Sequence, residues 1–187
     1  MPARTIPVRL RERIRSVRCL LLDVDGVLTD GKIHIGPNGF EAKTFDIRDG
    51  SGIKLAQMAG LTVGFVSARP SKATTKRAQE LAVRWVVQKP RDKGLLVQEI
   101  QHQAGFSPEQ SCFVGDDLLD LPALRAVGFP VAVSDAAPEV KAAARYVTHA
   151  KGGDGAVREV VELIVKTQGL WKKTLQQYVE RSSLSQP

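Results

Sequence analysis

The chain has 187 residues, an apolar fraction of 43%, two cysteines and a formal net charge of +7, values that suit one globular domain with its own core and exclude a disulfide-framed module. No apolar stretch nears the roughly 20 residues of a membrane helix, and the Arg-rich start lacks the apolar core of a signal peptide, so a cytoplasmic protein with no membrane contact is expected, an organelle transit peptide in residues 1–18 being the alternative. Positive charge collects in residues 1–18, six Arg against Glu12, and in residues 69–93, eight Lys and Arg against Glu80 and Asp92; the rest is net acidic, which speaks against a nucleic-acid surface.

In chain order, "VRLRERIRSVR" (8–18) alternates apolar residues with Arg and reads as a helix with a solvated face. "RCLLLDV" (18–24) follows as the first strand. In "GKIHIGPNGFEAKTFDIRDGSG" (31–52), "KIHI" and "FEAKTFDI" alternate apolar and polar residues around "GPNG", which predicts a β-hairpin flap over 32–47. Strands are then expected at 61–67, 83–88, 111–116, 129–135 and briefly at 145–150, with helices at 51–60, 71–82, 91–105, 117–128 and 137–144. "GGDGAVREVVELIVKTQ" reads as a loop and a last amphipathic helix. A C-terminal tail, 170–187, carries Trp171 and Tyr178, which could dock on another subunit, and frays from Glu180.

Strands that alternate with helices and are nearly continuous apolar runs predict an α/β fold: a three-layer, Rossmann-like domain whose central parallel sheet is covered on both faces. Residues 1–187 form one domain in this reading, because no insertion besides the hairpin is long enough to fold over the active face. Cys19 and Cys112 lie inside apolar runs and are expected as buried free thiols, and His34, His102 and His149 show no metal-ligand spacing.

Ligands of such sheets bind at the carboxyl ends of the strands. Those ends carry Asp23 and Asp25, Ser67 and Arg69, Lys93, and Gly115, Asp116 and Asp117. Side chains two apart on extended chain share a face, so Asp23 and Asp25 can address one small volume, where a cation relieves their repulsion. Hard oxygen ligands with room for phosphate suit Mg²⁺, and Asp116 would complete the set. A calcium loop is excluded, since Leu28 and His34 stand where that loop needs Gly and Glu. An Asp-x-Asp at a strand end can also be merely structural; the ordered company of "SAR", the Lys and "GDDLLD" argues otherwise.

Together, "DVDGVLTD", the Ser of "FVSARP", a Lys after the third strand and "GDDLLD" resemble the four motifs of the haloacid dehalogenase superfamily of phosphatases. Over about residues 8–170, the hairpin sequence, "GDDLLDLP" and "GGDGAVREV" are similar to its capless branch, the 3-deoxy-D-manno-octulosonate 8-phosphate phosphatase family. One departure is Ser67-Ala68-Arg69, where that family commonly has Thr-Gly-Arg. The resemblance implies that Asp23 is the nucleophile, giving an aspartyl-phosphate. Asp25 then protonates the leaving oxygen and later activates water, in surroundings that raise its pKa relative to Asp23. It further implies Mg²⁺ on the Asp23 carboxylate, the Asp25 carbonyl and Asp116, with Ser67 on a phosphoryl oxygen and Lys93 neutralising developing charge.

Gly26 leaves room for phosphate. Asp117 would orient metal-bound water or Lys93, and Asp120 would cap or form an ion pair. Arg69 can fork a substrate carboxylate or pair with a residue such as Asp49, while Ala68 and the "RDGSG" run from Arg48 line the same mouth. Arg158 reaches a site, its own or a neighbour's, or stays on the surface. The implied protein is a phosphoric monoester hydrolase, a homotetramer acting on an eight- or nine-carbon 2-keto-3-deoxy sugar acid phosphate, with the octulosonate 8-phosphate favoured over a nonulosonate 9-phosphate. A catalytically idle assembly module and a nucleic-acid end phosphatase are the other classes open to the chain.

Overall fold

An apolar run without alternation has no side for solvent, and the chain buries such runs whole. In the computed structural model, which describes residues 7–184, helix α1 (Val8–Ser16) presses Ile14 into the core and leaves Arg9, Arg11 and Arg15 exposed. Strand β1 (Cys19–Leu22) follows with all four residues buried. Next come the antiparallel pair β2 (His34–Ile35) and β3 (Glu41–Ala42), then helix α2 (Ile47–Met58). The chain continues through β4 (Thr62–Ser67), α3 (Lys72–Glu80), β5 (Trp85–Gln88), α4 (Lys93–Ala104) and β6 (Ser111–Gly115). It ends with α5 (Leu121–Arg125), β7 (Phe129–Ala132), α6 (Pro138–Ala143), β8 (Tyr146–Val147), α7 (Ala156–Thr167) and α8 (Trp171–Leu184).

Six strands form one parallel sheet in the order β5-β4-β1-β6-β7-β8. The chain steps outward from β1 to β5, then returns to β6 on the other side of β1. Right-handed crossovers therefore put α2 and α3 on one face and α4, α5 and α6 on the other; α7 packs on α2, and α4 on α5. This is the α/β architecture expected from the sequence. The reversal between β1 and β6 is the switch point where such sheets open a crevice. Register brings the strand ends level there: Leu22 lies opposite Phe65 of β4 and Val114 of β6.

Several boundaries differ from expectation, each for a local reason. Helix α2 begins at Ile47 and not at Ser51, because the Asp46 side chain caps it by accepting the Arg48 N–H at 2.5 Å. Arg48 to Gly52 is thus part of the helix. Its glycines serve packing: a Cβ on Gly52 would stand 3.0 Å from the Arg158 Cα of α7. Strand β5 is only half-buried because it forms the sheet edge. Residues 117–128 hold a 3₁₀ turn, Leu118–Asp120, before the short α5. The flap pairs only two residues a side across the turn Pro37–Gly39, with Asn38 (φ 58°) and Gly39 (φ 73°) left-handed. The tail expected to fray from Glu180 is helical through Leu184; its last three residues, and the first six of the basic segment, lie outside the described residues. Cys19 and Cys112 are buried free thiols on adjacent strands, and burial pushes Cys19 up to about 12.

Candidate active site

Beyond β1, Asp23 keeps the sheet's pairing by donating its N–H to Val114 O at 3.0 Å. Its carboxylate is thus carried on rigid backbone, and it is only 5% exposed. A buried carboxylate needs a partner. Lys93, the first residue of α4, donates from Nζ to Asp23 Oδ1 at 2.7 Å and to Asp120 Oδ1 at 2.6 Å. Asp92 fixes the start of that helix by accepting the Leu95 N–H at 2.9 Å. Asp120, fully buried, accepts the N–H groups of Asp116 at 2.9 Å and Asp117 at 3.3 Å on its other oxygen. Asp120 therefore both caps and pairs. It holds Lys93 in the place suggested for Asp117, whose own side chain is exposed.

Asp116 arrives from the end of β6. Oxygens of Asp23, Asp116 and Asp120 lie within 4.8 Å of one another, but both Asp120 oxygens are already hydrogen-bonded, whereas Asp116 Oδ1 is buried without a partner. Burial, and next the charge of Asp120, push Asp23 up to about 7; burial, and next the charge of Asp23, push Asp116 up to about 8. An orphaned buried oxygen and two carboxyls hindered from ionising are what a hard divalent cation relieves, so the donor set fits Mg²⁺. Gly26, at φ +96°, makes this possible, since a Cβ there would lie 2.0 Å from Asp116 Oδ2.

The loop after Asp23 is pinned by residues the sequence reading did not single out. Thr29, buried, donates from Oγ1 to Val24 O at 3.3 Å and accepts the N–H groups of Gly31 at 3.2 Å and Gly26 at 3.4 Å. From outside, Gly152 approaches so closely that a Cβ would sit 1.7 Å from Gly26 O. The "GGDG" run is thus a brace for the catalytic loop.

Ser67, at the buried end of β4, places Oγ 3.5 Å from Asp25 Oδ2, donates to Arg69 O at 2.9 Å and accepts the Arg69 N–H at 3.2 Å, with Ala68 exposed between them. The other Asp25 oxygen faces the hairpin. Lys43 Nζ lies 2.6 Å from Asp25 Oδ1, an ion pair whose angles fall short of an aligned hydrogen bond. Each of the two aspartates thus faces an ammonium, Asp23 that of Lys93 and Asp25 that of Lys43. Glu41, two residues before Lys43, pairs with Arg69 at 2.7 Å.

Arg69 therefore pairs with Glu41 and not with Asp49. Buried Asp49 instead caps α7, accepting the N–H groups of Arg158 at 2.8 Å and Gly155 at 3.3 Å. Arg48 is held by Asp46 at 2.8 Å and Asp154 at 2.6 Å, neither of them part of the acidic cluster. Arg158 turns along its own helix to Glu162 at 2.7 Å and lies over the Trp171 ring. The crevice thus gathers Asp23, Asp25, Gly26, Ser67, Lys93 and Asp116, with Arg69 at its rim, and leaves Arg48 and Arg158 with other partners. Glu41 and Lys43 were signalled only by alternation in "FEAKTFDI", which puts them on one face without saying which face turns inward.

A family model described as a haloacid dehalogenase-like hydrolase matches residues 85–160. The 3-deoxy-D-manno-octulosonate 8-phosphate phosphatase KdsC of Salmonella typhi is 39% identical over 164 residues, 88% of this chain and 87% of that protein. Its namesake from Yersinia pestis is 41% identical over 157 residues, 84% of each. Among solved structures, the 3-deoxy-D-manno-octulosonate 8-phosphate phosphatase of Moraxella catarrhalis, in complex with magnesium ion, phosphate ion and a KDO molecule, superposes with a TM-score of 0.88 at 31% identity, covering 91% of this chain and 98% of that one. The Yersinia pestis phosphatase superposes at 0.87 with 38% identity, covering 89% and 90%.

Proposed function

The chain belongs to the haloacid dehalogenase-like hydrolases and, among them, to the 3-deoxy-D-manno-octulosonate 8-phosphate phosphatases, and on that footing we propose that it hydrolyses 3-deoxy-D-manno-octulosonate 8-phosphate to the free sugar acid and phosphate. The observation that carries the reading is the network of Asp23, Lys93 and Asp120 beside the unpartnered Asp116 oxygen. It sets a nucleophilic carboxylate, a fixed cation and a metal-ready pair of acids in one crevice.

In this reading the Asp23 carboxylate attacks phosphorus, the ester bond breaks, and the leaving alcohol takes a proton from Asp25. Asp25 then takes a proton from the water that hydrolyses the aspartyl-phosphate. Ser67 donates to a phosphoryl oxygen, and Lys93, anchored by Asp120, neutralises charge gathering on the transferring group. Asp23, Asp116 and the backbone carbonyl of Asp25 would hold Mg²⁺, which when bound supplies positive charge between the nucleophile and the phosphate. Gly26 and Ala68 leave the phosphate a close approach, and Arg69 takes the substrate carboxylate in exchange for Glu41.

Such an enzyme works in the cytoplasm, in the supply of the acidic sugar of lipopolysaccharide. It works as a homotetramer whose neighbouring subunits narrow a mouth that no cap domain covers. A phosphate-release screen over sugar acid phosphates with Mg²⁺ tests the substrate. The octulosonate 8-phosphate should give the highest kcat/KM; a clear preference for a nonulosonate 9-phosphate would move the assignment to the nine-carbon acids, and no release from any ester would favour an idle assembly module.

A further inference from the structure

Lys43 has no part in the mechanism above, yet it is the cation that the hairpin brings against Asp25. Two residues past Glu41 on extended chain, it shares that residue's face. Its side chain is fully buried, with Nζ 2.6 Å from Asp25 Oδ1 and 3.9 Å from Glu41 Oε1. An ammonium has three donors, and none of those on Lys43 is aligned in a hydrogen bond; Asp25 Oδ1 and Glu41 Oε1 are buried without an aligned donor as well. Lys43 is thus held by charge alone, with N–H donors left to offer an acceptor that reaches Asp25. The two buried lysines divide the site between them. Lys93 is committed to Asp23 and Asp120 at the phosphoryl end, and Lys43 stands against Asp25, the acid of the mechanism above.

We propose that Lys43 is a further catalytic residue, a hairpin-borne donor to the ester oxygen of the phosphate monoester. The proposal rests on the phosphatase reading. As the bond from Asp23 to phosphorus forms, the phosphorus–ester oxygen bond breaks with its electron pair on oxygen. Lys43 hydrogen-bonds that oxygen while the proton on Asp25 passes to it, and Lys43 itself stays protonated throughout. Glu41, bridging Lys43 and Arg69, sets the depth at which the ammonium sits. The hairpin is then catalytic apparatus as well as cover.

A donor at the ester oxygen helps most when the leaving group is a poor one. Steady-state kinetics of the full-length wild type, Lys43→Met and Lys43→Arg, with Mg²⁺, on p-nitrophenyl phosphate and on primary alkyl phosphates make the test. Lys43→Met should lose on the order of 10²-fold in kcat/KM on alkyl esters and under about 10-fold on the aryl ester, whose phenolate departs unaided. Lys43→Arg should recover part of the alkyl loss. Equal losses on both ester classes, or no loss on either, would overturn the proposal. Thermal melting accompanies each variant, and if Lys43→Met does not fold, the same alkyl-to-aryl ratio is read from Lys43→Arg, which keeps the charge but changes the reach. The alkyl panel includes glucose 6-phosphate beside the octulosonate 8-phosphate. Refusal of the latter by the wild type would therefore overturn the substrate reading alone.

Discussion

Asp23 and Asp116 illustrate how two residues of one type acquire a property that neither has alone. Asp23 is buried and Asp116 half-buried, each faces the other's charge, and they are pushed up to about 7 and about 8 respectively. Near pH 6 both therefore hold protons that a bound cation must displace, and near pH 9 they do not. Apparent Mg²⁺ affinity is expected to rise between those limits and then level off, with protons released on binding. Calorimetric titrations of the intact protein in buffers of different ionisation enthalpy measure both quantities. An affinity that is flat with pH, together with a binding heat independent of buffer, would show that these carboxyls are not the ligands. The orphaned Asp116 Oδ1 points the same way without any titration argument.

The helices α2 and α7 meet across Gly52 and Asp49, and the pair shows what one buried acid costs. Asp49 ties α2 to the start of α7 through two N–H groups, yet burial outweighs those bonds and pushes it from 3.8 to about 6. Below pH 4 folded and unfolded chains both hold the proton; between about 4 and 6 only the folded chain does. Stability contributed by this group is therefore full at low pH and is lost as pH rises to about 6, in all about 3 kcal/mol at 1.36 kcal/mol per unit. Asp49→Asn cannot ionise, but it sets an amide NH2, a donor, where one of the two N–H groups needs an acceptor, a loss of about 1–3 kcal/mol. Urea denaturation of both proteins should find the variant less stable at pH 4 and the gap closing towards pH 7.5; a gap that ignores pH would sink the argument.

The same helix shows what the sequence conceals. The parallel sheet is legible because unalternating apolar runs such as Leu20–Leu22 have only one kind of environment open to them. Asp23, Asp25, Ser67, Lys93 and Asp116 are legible because strand ends of such a sheet converge. Gly50 lies outside the helix expected from Ser51, since glycine disfavours helix, whereas the close approach of Arg77 to Gly50 and of α7 to Gly52 requires glycine at these sites. Glu41 and Lys43 meet Arg69 and Asp25 across the fold, and no local pattern encodes those distances.

At the level of the whole molecule, the question is what covers the hairpin. Ile35 is 76% exposed, Phe40 64% and Ile47 80%. Apolar side chains of that size, clustered on and beside one projecting pair of strands, mark a surface meant to be shared. A closed homo-oligomer satisfies it with copies of the same patch, and the proposed homotetramer would fix the hairpin that carries Glu41 and Lys43 against the site. Function and assembly would then depend on the same segment. Wild-type protein should sediment well above the 20.4 kDa of one chain. The pair Ile35→Asp with Phe40→Asp, both side chains pointing away from the core, should sediment as a single chain with unchanged far-ultraviolet circular dichroism. Its kcat/KM on alkyl phosphates should fall by about 10-fold or more, because an untethered hairpin no longer holds Lys43 in place. A wild type that sediments as one chain, or a double variant that assembles as the wild type does, would remove the hairpin from the interface.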